Sequence, residues 1–274
     1  MQLPLKWHGG KYYLAKKIVD LMPAHLHYVE PFFGGGAVLF ARNPEDTALW
    51  LDDHKGVSEV VNDIHEKLIN FWRVLRDSDK FCRFRRLVEA TPISRQEWQS
   101  AHDHEYGKDS VTDAWAFFVD CRQSRSGMMS GFTSITRRRL RRGMNGTVSE
   151  WLSAVDGLPE IHTRLREVLI ENMKAVNLIQ REDTPNTLFY CDPPYLHETR
   201  TSKQAYHFEM TVEDHELLLD TLRQCQGKVL LSGYPCDLYD KQLHDWNRHT
   251  FDLPNNAAGG DKKRRMTEVV WCNY

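Results

Sequence analysis

Several features are missing from the 274 residues. No apolar run approaches the roughly 20 positions that a membrane-spanning helix needs, so no membrane partner is expected. Residues 1–6 carry no apolar core of the kind that secretory signals have. The six cysteines (Cys82, Cys121, Cys191, Cys225, Cys236 and Cys272) never form a C-x-x-C pair. Neither a zinc knuckle nor a disulfide framework is indicated, and a reducing cytoplasm is the expected compartment. The 13 histidines include no H-E-x-x-H or other metal-ligand spacing, so no metal is expected. There is no G-x-S-x-G nucleophile turn, no internal repeat and no low-complexity tract. A strong charge excess is also absent: 36 Lys and Arg against 38 Asp and Glu leave a formal net charge of −2. That average announces no nucleic-acid partner, but an average can hide a local patch.

What is present is globular composition, 41% hydrophobic, 11% aromatic and 27% charged. A chain of this length can bury a sizeable core, as one large domain or two small ones. Residues 11–22 have Leu14, Ile18 and Leu21 at helical spacing and stop at Pro23. Tyr28-Val29 reads as a short strand entering Glu30-Pro31-Phe32-Phe33-Gly34-Gly35-Gly36, with a helix expected from Ala37. Glu59-Val60-Val61 is a second strand, and Ile64, Leu68, Phe71, Trp72 and Leu75 mark one helix face. Residues 77–160 are polar, helical in places (113–120), and poor in strand signals. From Val168 the alternation returns. Residues 187–191 read as a buried strand, 211–214 as a capping box before the apolar 217–222, and 228–231 and 267–272 as further strands. Strands alternating with helices predict an α/β fold with a mostly parallel sheet. The division expected is 1–76 plus 161–274 as one domain and 77–160 as an inserted subdomain.

Two motifs carry chemistry. The glycine turn at 30–36 lets the backbone turn tightly and approach a ligand. It fails the dinucleotide pattern G-x-G-x-x-G, because position 39 is Leu. Glu30 at its start suits a neutral or cationic ligand better than a pyrophosphate. An acid ending the second strand can bind ribose hydroxyls, and Asp63 competes with Asp52 and Asp53 for that role. The second motif is Asp192-Pro193-Pro194-Tyr195, directly after the apolar strand. Its prolines fix the backbone and remove two N–H donors, leaving carbonyls available. Such a corner suits a planar base bearing an exocyclic amine: Asp192 and the Pro193 carbonyl accept N–H bonds, and Tyr195 stacks on the ring. Pro235-Cys236 does not follow the main strand and is set aside as a nucleophile.

In order, these motifs resemble the Dam-like (D12 class, α group) DNA adenine-N6 methyltransferases over nearly the whole chain. Lys6-Trp7-His8-Gly9-Gly10-Lys11 resembles the family's K-W-x-G-G-K, and 30–36 resembles its F-x-G-x-G turn. Asn62-Asp63-Ile64 followed by Leu68-Ile69-Asn70-Phe71 resembles its second-strand motif. Residues 192–195 match its D-P-P-Y, and Glu268-Val269-Val270 with Asn273-Tyr274 resembles its closing strand. The resemblance implies a Rossmann-like methyltransferase sheet with an antiparallel last strand, and S-adenosylmethionine as methyl donor. The implied cofactor contacts are Trp7, Lys11, Glu30, Phe32, Gly34, Gly36, Asp63 and Asp192. The implied catalytic group is Asp192, Pro193, Pro194 and Tyr195, acting on an adenine flipped out of double-stranded DNA. Residues 77–160 become the target-recognition part. Position 8 is His rather than a small residue, and the stretch from Gly36 to Asp63 is longer than in the family. Residues 121–127 lack the family's N-R-x-G-[FY]-N-G run, so no recognition sequence carries over.

From 121 to 149 there are seven arginines (122, 125, 137, 138, 139, 141 and 142) and no Asp or Glu. With Lys6, Arg122, Arg125, Arg137, Arg138, Arg139, and with Lys263 and Arg264 in a second basic run, these are the expected phosphate contacts. A monomer with a cognate restriction endonuclease as partner is the expected context. Other readings are the same fold acting on cytosine N4, RNA adenine or a protein glutamine, an inactive DNA-binding homologue, and a nicotinamide oxidoreductase.

Overall fold

The computed structural model describes residues 1–52, 54–133, 139–199, 208–254 and 265–274. In chain order the first elements are helix α1 (Ala15–Val19), strands β1 (His27–Glu30) and β2 (Ser58–Asn62), and helices α2 (Glu66–Arg76), α3 (Ser78–Ala90), α4 (Arg95–His102) and α5 (Ser110–Gln123). A short hairpin of β3 (Leu140–Arg141) and β4 (Met144–Asn145) precedes α6 (Gly146–Asp156), α7 (Leu158–Leu165) and β5 (Val168–Glu171). The rest is α8 (Ala175–Glu182), β6 (Thr187–Cys191), α9 (Val212–Gln224), β7 (Lys228–Gly233), α10 (Asp237–Gln242), β8 (Asn247–Pro254) and β9 (Arg265–Cys272). No helix among the described residues is long and apolar enough to cross a membrane.

The described residues group into two units. One contains 1–19, 34–43 and 65–172; the other contains 20–33, 44–64 and 173–274. Residues 77–160 therefore share a unit with the N-terminal motif and with the last part of the glycine turn.

In the second unit the strands run in the order β2-β1-β6-β7-β9-β8. β1 is parallel to both β2 and β6, and β6 is parallel to β7. β9 is antiparallel to β7 and to β8, so the expected reversal of the last strand is present. Every residue of β6 is buried, which is why Thr-Leu-Phe-Tyr-Cys is nearly continuous in apolar character rather than alternating. α9 and α10 pack on this sheet through Leu218, Leu219, Leu222, Tyr239 and Leu243. α9 starts at the expected capping box: Thr211 accepts from the Asp214 amide and Asp214 accepts from the Thr211 amide. β8 was not anticipated, because Asn-Arg-His-Thr-Phe-Asp-Leu-Pro has no clear apolar alternation and its strand partner is β9.

The first unit is helical and built around α5. This helix buries Val111, Ala114, Phe117, Phe118 and Cys121 against neighbouring helices, with Phe71 of α2 stacked on Phe118 at 5.8 Å. α2 realises the expected face with Leu68, Phe71, Trp72 and Leu75 buried, whereas Ile64 lies before the helix and is exposed. Two other expectations shrink. The helix over 11–22 is confined to α1. The helix from Ala37 is only the 3-10 turn Leu39–Ala41. Val38, Leu39 and Phe40 are buried consecutively, a spacing no amphipathic α-helix accommodates on one face, and Asn43-Pro44 ends the segment.

Candidate active site

Parallel strands end on the same edge of a sheet, and here that edge collects the polar groups of the second unit. β1 ends at Glu30, β2 at Asn62 with Asp63 next, β6 at Cys191 with Asp192 next, and β7 at Ser232-Gly233. Glu30 is buried and accepts the Tyr28 hydroxyl at 3.0 Å, two residues back on the same strand face. Asn62 ties the turn after β1 to the start of α8. Its side-chain amide donates to the carbonyls of Pro31 (2.9 Å) and Met173 (3.0 Å), and its Oδ1 accepts from the Met173 amide (2.9 Å). The Asn62 carbonyl takes the Phe33 amide at 2.8 Å. Phe32 and Asp63 are half-buried at this edge, whereas Asp52 is exposed with a left-handed φ of 51°. Asp53, the third contender for the ribose, lies outside the described residues.

Asp192-Pro193-Pro194-Tyr195 occupies the corner after β6. Asp192 is half-buried; Pro193 and Tyr195 are buried. Asp192 Oδ1 accepts from Ser232 Oγ at 2.9 Å and from the Tyr195 hydroxyl at 3.2 Å. Behind them Tyr190 OH lies 3.1 Å from Ser232 Oγ. Burial, and then the charge on Asp192, hold the Tyr190 phenol well above its ordinary pKa, so it stays protonated. A chain of hydroxyls thus fixes the carboxylate from inside the sheet. The Tyr195 hydroxyl also reaches Glu268 Oε1 on β9. Tyr234 packs edge-on to Tyr195, with ring centroids 4.5 Å apart. Beside them is a small cavity lined by Tyr195, Leu196, Thr199, Tyr234, Cys236 and Tyr239. The Cys236 thiol is raised in pKa, chiefly by burial, which keeps it protonated and unlike an activated nucleophile.

Glu268, Ser232 and Tyr234 were not singled out in the sequence as site residues. Ser232 and Tyr234 had a readable signal: they follow the apolar run of β7, and the carboxyl end of a central parallel strand is where polar groups meet a ligand. Glu268 had none at short range.

The first unit holds the remaining motif residues. Trp7 lies over the glycine turn so closely that a Cβ on Gly34 would come within 2.7 Å of its Nε1, and one on Gly35 within 2.7 Å of its Cβ. Gly34 also has φ +48°, and its carbonyl accepts from Trp72 Nε1 at 3.1 Å. At positions 34 and 35 the absent side chains thus admit an indole ring of the protein itself. Gly36 is left-handed at φ 71°. The Lys11 ammonium is buried and donates to the Gly9 carbonyl at 3.2 Å.

The basic segment divides. Lys6 is half-buried and paired with Glu150 at 3.2 Å. Arg122 is buried on α5, its Nη2 donating to the Glu150 carbonyl at 2.9 Å. Burial lowers the guanidinium pKa, and the group braces α6 rather than offering charge to a phosphate; the expectation for Arg122 as a DNA contact is corrected. Arg125 and Arg139 are exposed. Arg141 and Arg142 are exposed in the β3–β4 hairpin, whose turn is Arg142 (φ 56°) and Gly143 (φ 74°). Positive φ at both turn positions matches the twist of a tight hairpin. Arg137, Arg138, Lys263 and Arg264 lie outside the described residues.

Residues 7–254 match the family model of the D12 class N6 adenine-specific DNA methyltransferases. A type II methyltransferase of Lactococcus lactis subsp. cremoris is 27% identical, over 98% of this chain and 94% of its own. A type II methyltransferase of Methanocaldococcus jannaschii is 23% identical over 98% of both chains. A DNA adenine methylase of Serratia marcescens is 24% identical over 89% of this chain and 86% of its own. With the family model spanning all but the first six and last twenty residues, the chain belongs to the D12 class of N6 adenine-specific DNA methyltransferases.

Proposed function

We propose that the D-P-P-Y corner is where this DNA adenine methyltransferase transfers the methyl group, with S-adenosylmethionine as donor and a flipped-out adenine of duplex DNA as acceptor. The observation that carries the reading is the fixed Asp192 carboxylate at the carboxyl end of β6, held by Ser232 and Tyr195. The donor set fits the cofactor. Glu30, Asp63 and Asp192 at adjacent strand ends offer anionic acceptors to an ammonium, to ribose hydroxyls and to a sulfonium, and would repel a pyrophosphate. Phe32 at the same edge is a proposed cofactor residue, as are Trp7, Lys11, Gly34 and Gly36 of the first unit, and Asp63 is favoured over Asp52 for the ribose because it directly follows β2.

S-adenosylmethionine supplies an electrophilic methyl group. The chain's task is to make a poor nucleophile attack it. The adenine N6 lone pair is delocalised into the ring. N–H bonds to Asp192 and to the Pro193 carbonyl favour a pyramidal nitrogen with a localised lone pair. Positive charge then grows on N6 as the methyl–sulfur bond breaks with its electron pair left on sulfur; Asp192 with the electron-rich face of Tyr195 stabilises that charge, and the surplus N6 proton is then lost along the hydrogen bond to Asp192. Holding the amine in line with the methyl contributes several kcal/mol on its own. Flipping the base costs a few kcal/mol, which phosphate contacts from Arg125, Arg139 and the hairpin arginines offset. Residues 77–160 are the proposed target-recognition part. A monomer suffices, since each strand can be methylated in a separate encounter; the type II relatives support a cognate endonuclease as partner. Transfer of labelled methyl from S-adenosylmethionine to DNA, analysed for N6-methyladenine, tests the reading. Incorporation by the wild type but not by Asp192→Ala is expected; equal incorporation by both would remove it.

A further inference from the structure

We infer that Glu268 is a positioning residue for methyl transfer, acting through the Tyr195 hydroxyl on Asp192 and adding a second negative charge behind the site where N6 turns cationic. The inference rests on the proposed role of the D-P-P-Y corner.

Topology delivers the residue. β9 runs antiparallel to β7, with Val269 opposite Gly233 and Val270 opposite Ser232. The start of β9, not its end, therefore meets the carboxyl ends of the parallel strands. Position 268 lies one residue before that pairing, at the level of Tyr234. Side chains alternate along a strand, so Glu268 and Val270 share one face while Val269 and Trp271 point into the core formed with α9 and α10. A parallel last strand would bring its end to this edge instead.

Energetics argue for a role. Glu268 is only 6% exposed. Burying a carboxylate costs several kcal/mol unless it is paired and hydrogen-bonded, and an apolar residue would pack here without that cost. One of its partners is the Tyr195 hydroxyl, which also lies 3.2 Å from Asp192 Oδ1. One phenolic proton thus sits between two carboxylates. A neutral adenine does nothing to relieve this concentration of negative charge. A nitrogen acquiring positive charge beside Asp192 does, so the favourable interaction grows along the reaction coordinate, as transition-state stabilisation requires. The Ser232 bond keeps Asp192 Oδ1 turned toward this pair, so the second charge acts on a carboxylate of fixed orientation.

The test is E268Q, which keeps an oxygen to accept the Tyr195 hydroxyl and removes the charge. Turnover of labelled-methyl transfer should fall about 10-fold, with KM for DNA and for S-adenosylmethionine within about two-fold and thermal midpoint close to wild type. In the Tyr195→Phe background the same change should cost little more, because the coupling route is already cut. Wild-type kcat in E268Q, a rise in KM with kcat preserved, or losses that multiply in the double variant would overturn the inference. If E268Q does not fold, Tyr195→Phe carries the test: about a ten-fold kcat loss at unchanged KM is expected, and full activity overturns it. Wild type and Asp192→Ala run alongside. No methyl entering adenine from wild type would remove the D-P-P-Y reading itself; normal wild-type transfer with an unimpaired E268Q removes only the role of Glu268.

Discussion

The carboxyl edge of the sheet and the basic segment from 121 to 149 are both conspicuous in the sequence, yet they behave differently in the fold. At the edge, two motif carboxylates stand at or just after the end of a buried strand and are held by hydrogen bonds: Glu30 by Tyr28, Asp192 by Ser232 and Tyr195. In the basic segment, neighbours in sequence part company. Arg122 turns inward to the Glu150 carbonyl and Arg125, three residues on, faces solvent. A strand end constrains chemistry because the backbone ladder dictates where the next side chain goes. A count of arginines constrains only the summed charge, and the end of α5 at Gln123 separates the two: Arg122 lies on the helix and Arg125 beyond it.

Substitutions can break this comparison, starting at the edge. Asp192→Ala should lower turnover by about 10²–10³-fold or more while S-adenosylmethionine binding only weakens, measured by single-turnover transfer and by calorimetry. Near-normal turnover would show that the edge does not carry the chemistry. Tyr195→Ala should cost more than Tyr195→Phe, about 100-fold against about 10-fold in kcat, since the first removes both ring and hydroxyl and the second only the bond to Asp192 and Glu268. Equal losses would argue against any contribution from the ring. Gly34→Ala should lower stability by about 1–3 kcal/mol in thermal or urea unfolding, because the backbone there is left-handed and Trp7 fills the space above it.

The sharpest version of the comparison lies within the basic segment. Arg122→Ala should destabilise the fold by about 1–3 kcal/mol, by removing a buried side chain and its bond to the Glu150 carbonyl of α6, and should leave the salt dependence of DNA binding alone. Arg125→Ala should do the reverse, leaving stability within about 0.5 kcal/mol and reducing the slope of log affinity against log salt by about 1. Matching effects from the two would mean that burial on α5 does not set Arg122 apart from Arg125.

The legible parts of the molecule were local. β6 and D-P-P-Y are contiguous, so an apolar run followed by Asp-Pro-Pro-Tyr announces both a buried strand and a rigid corner. The capping box of α9 and the apolar face of α2 are equally short-range and appear as expected. The illegible parts join distant residues. Ser232 bonds Asp192 across 40 positions, and Glu268 meets Tyr195 across 73. No periodicity encodes those meetings; the strand order does. Buried polar pairs mislead in the other direction. Asp120 on α5 looks like surface but accepts from Trp98 Nε1 at 2.9 Å and pairs with His102 at 3.1 Å. The 77–160 stretch reads as polar for that reason, although α5 is the core of its unit.

The most direct test of the central claim is modification mapping of DNA from a methylation-null host expressing the wild type or Asp192→Ala. N6-methyladenine at one short sequence in the wild-type sample, and none above background with Asp192→Ala, is the predicted result. The same marks in both samples, or none in either, would contradict methyl transfer at the D-P-P-Y corner.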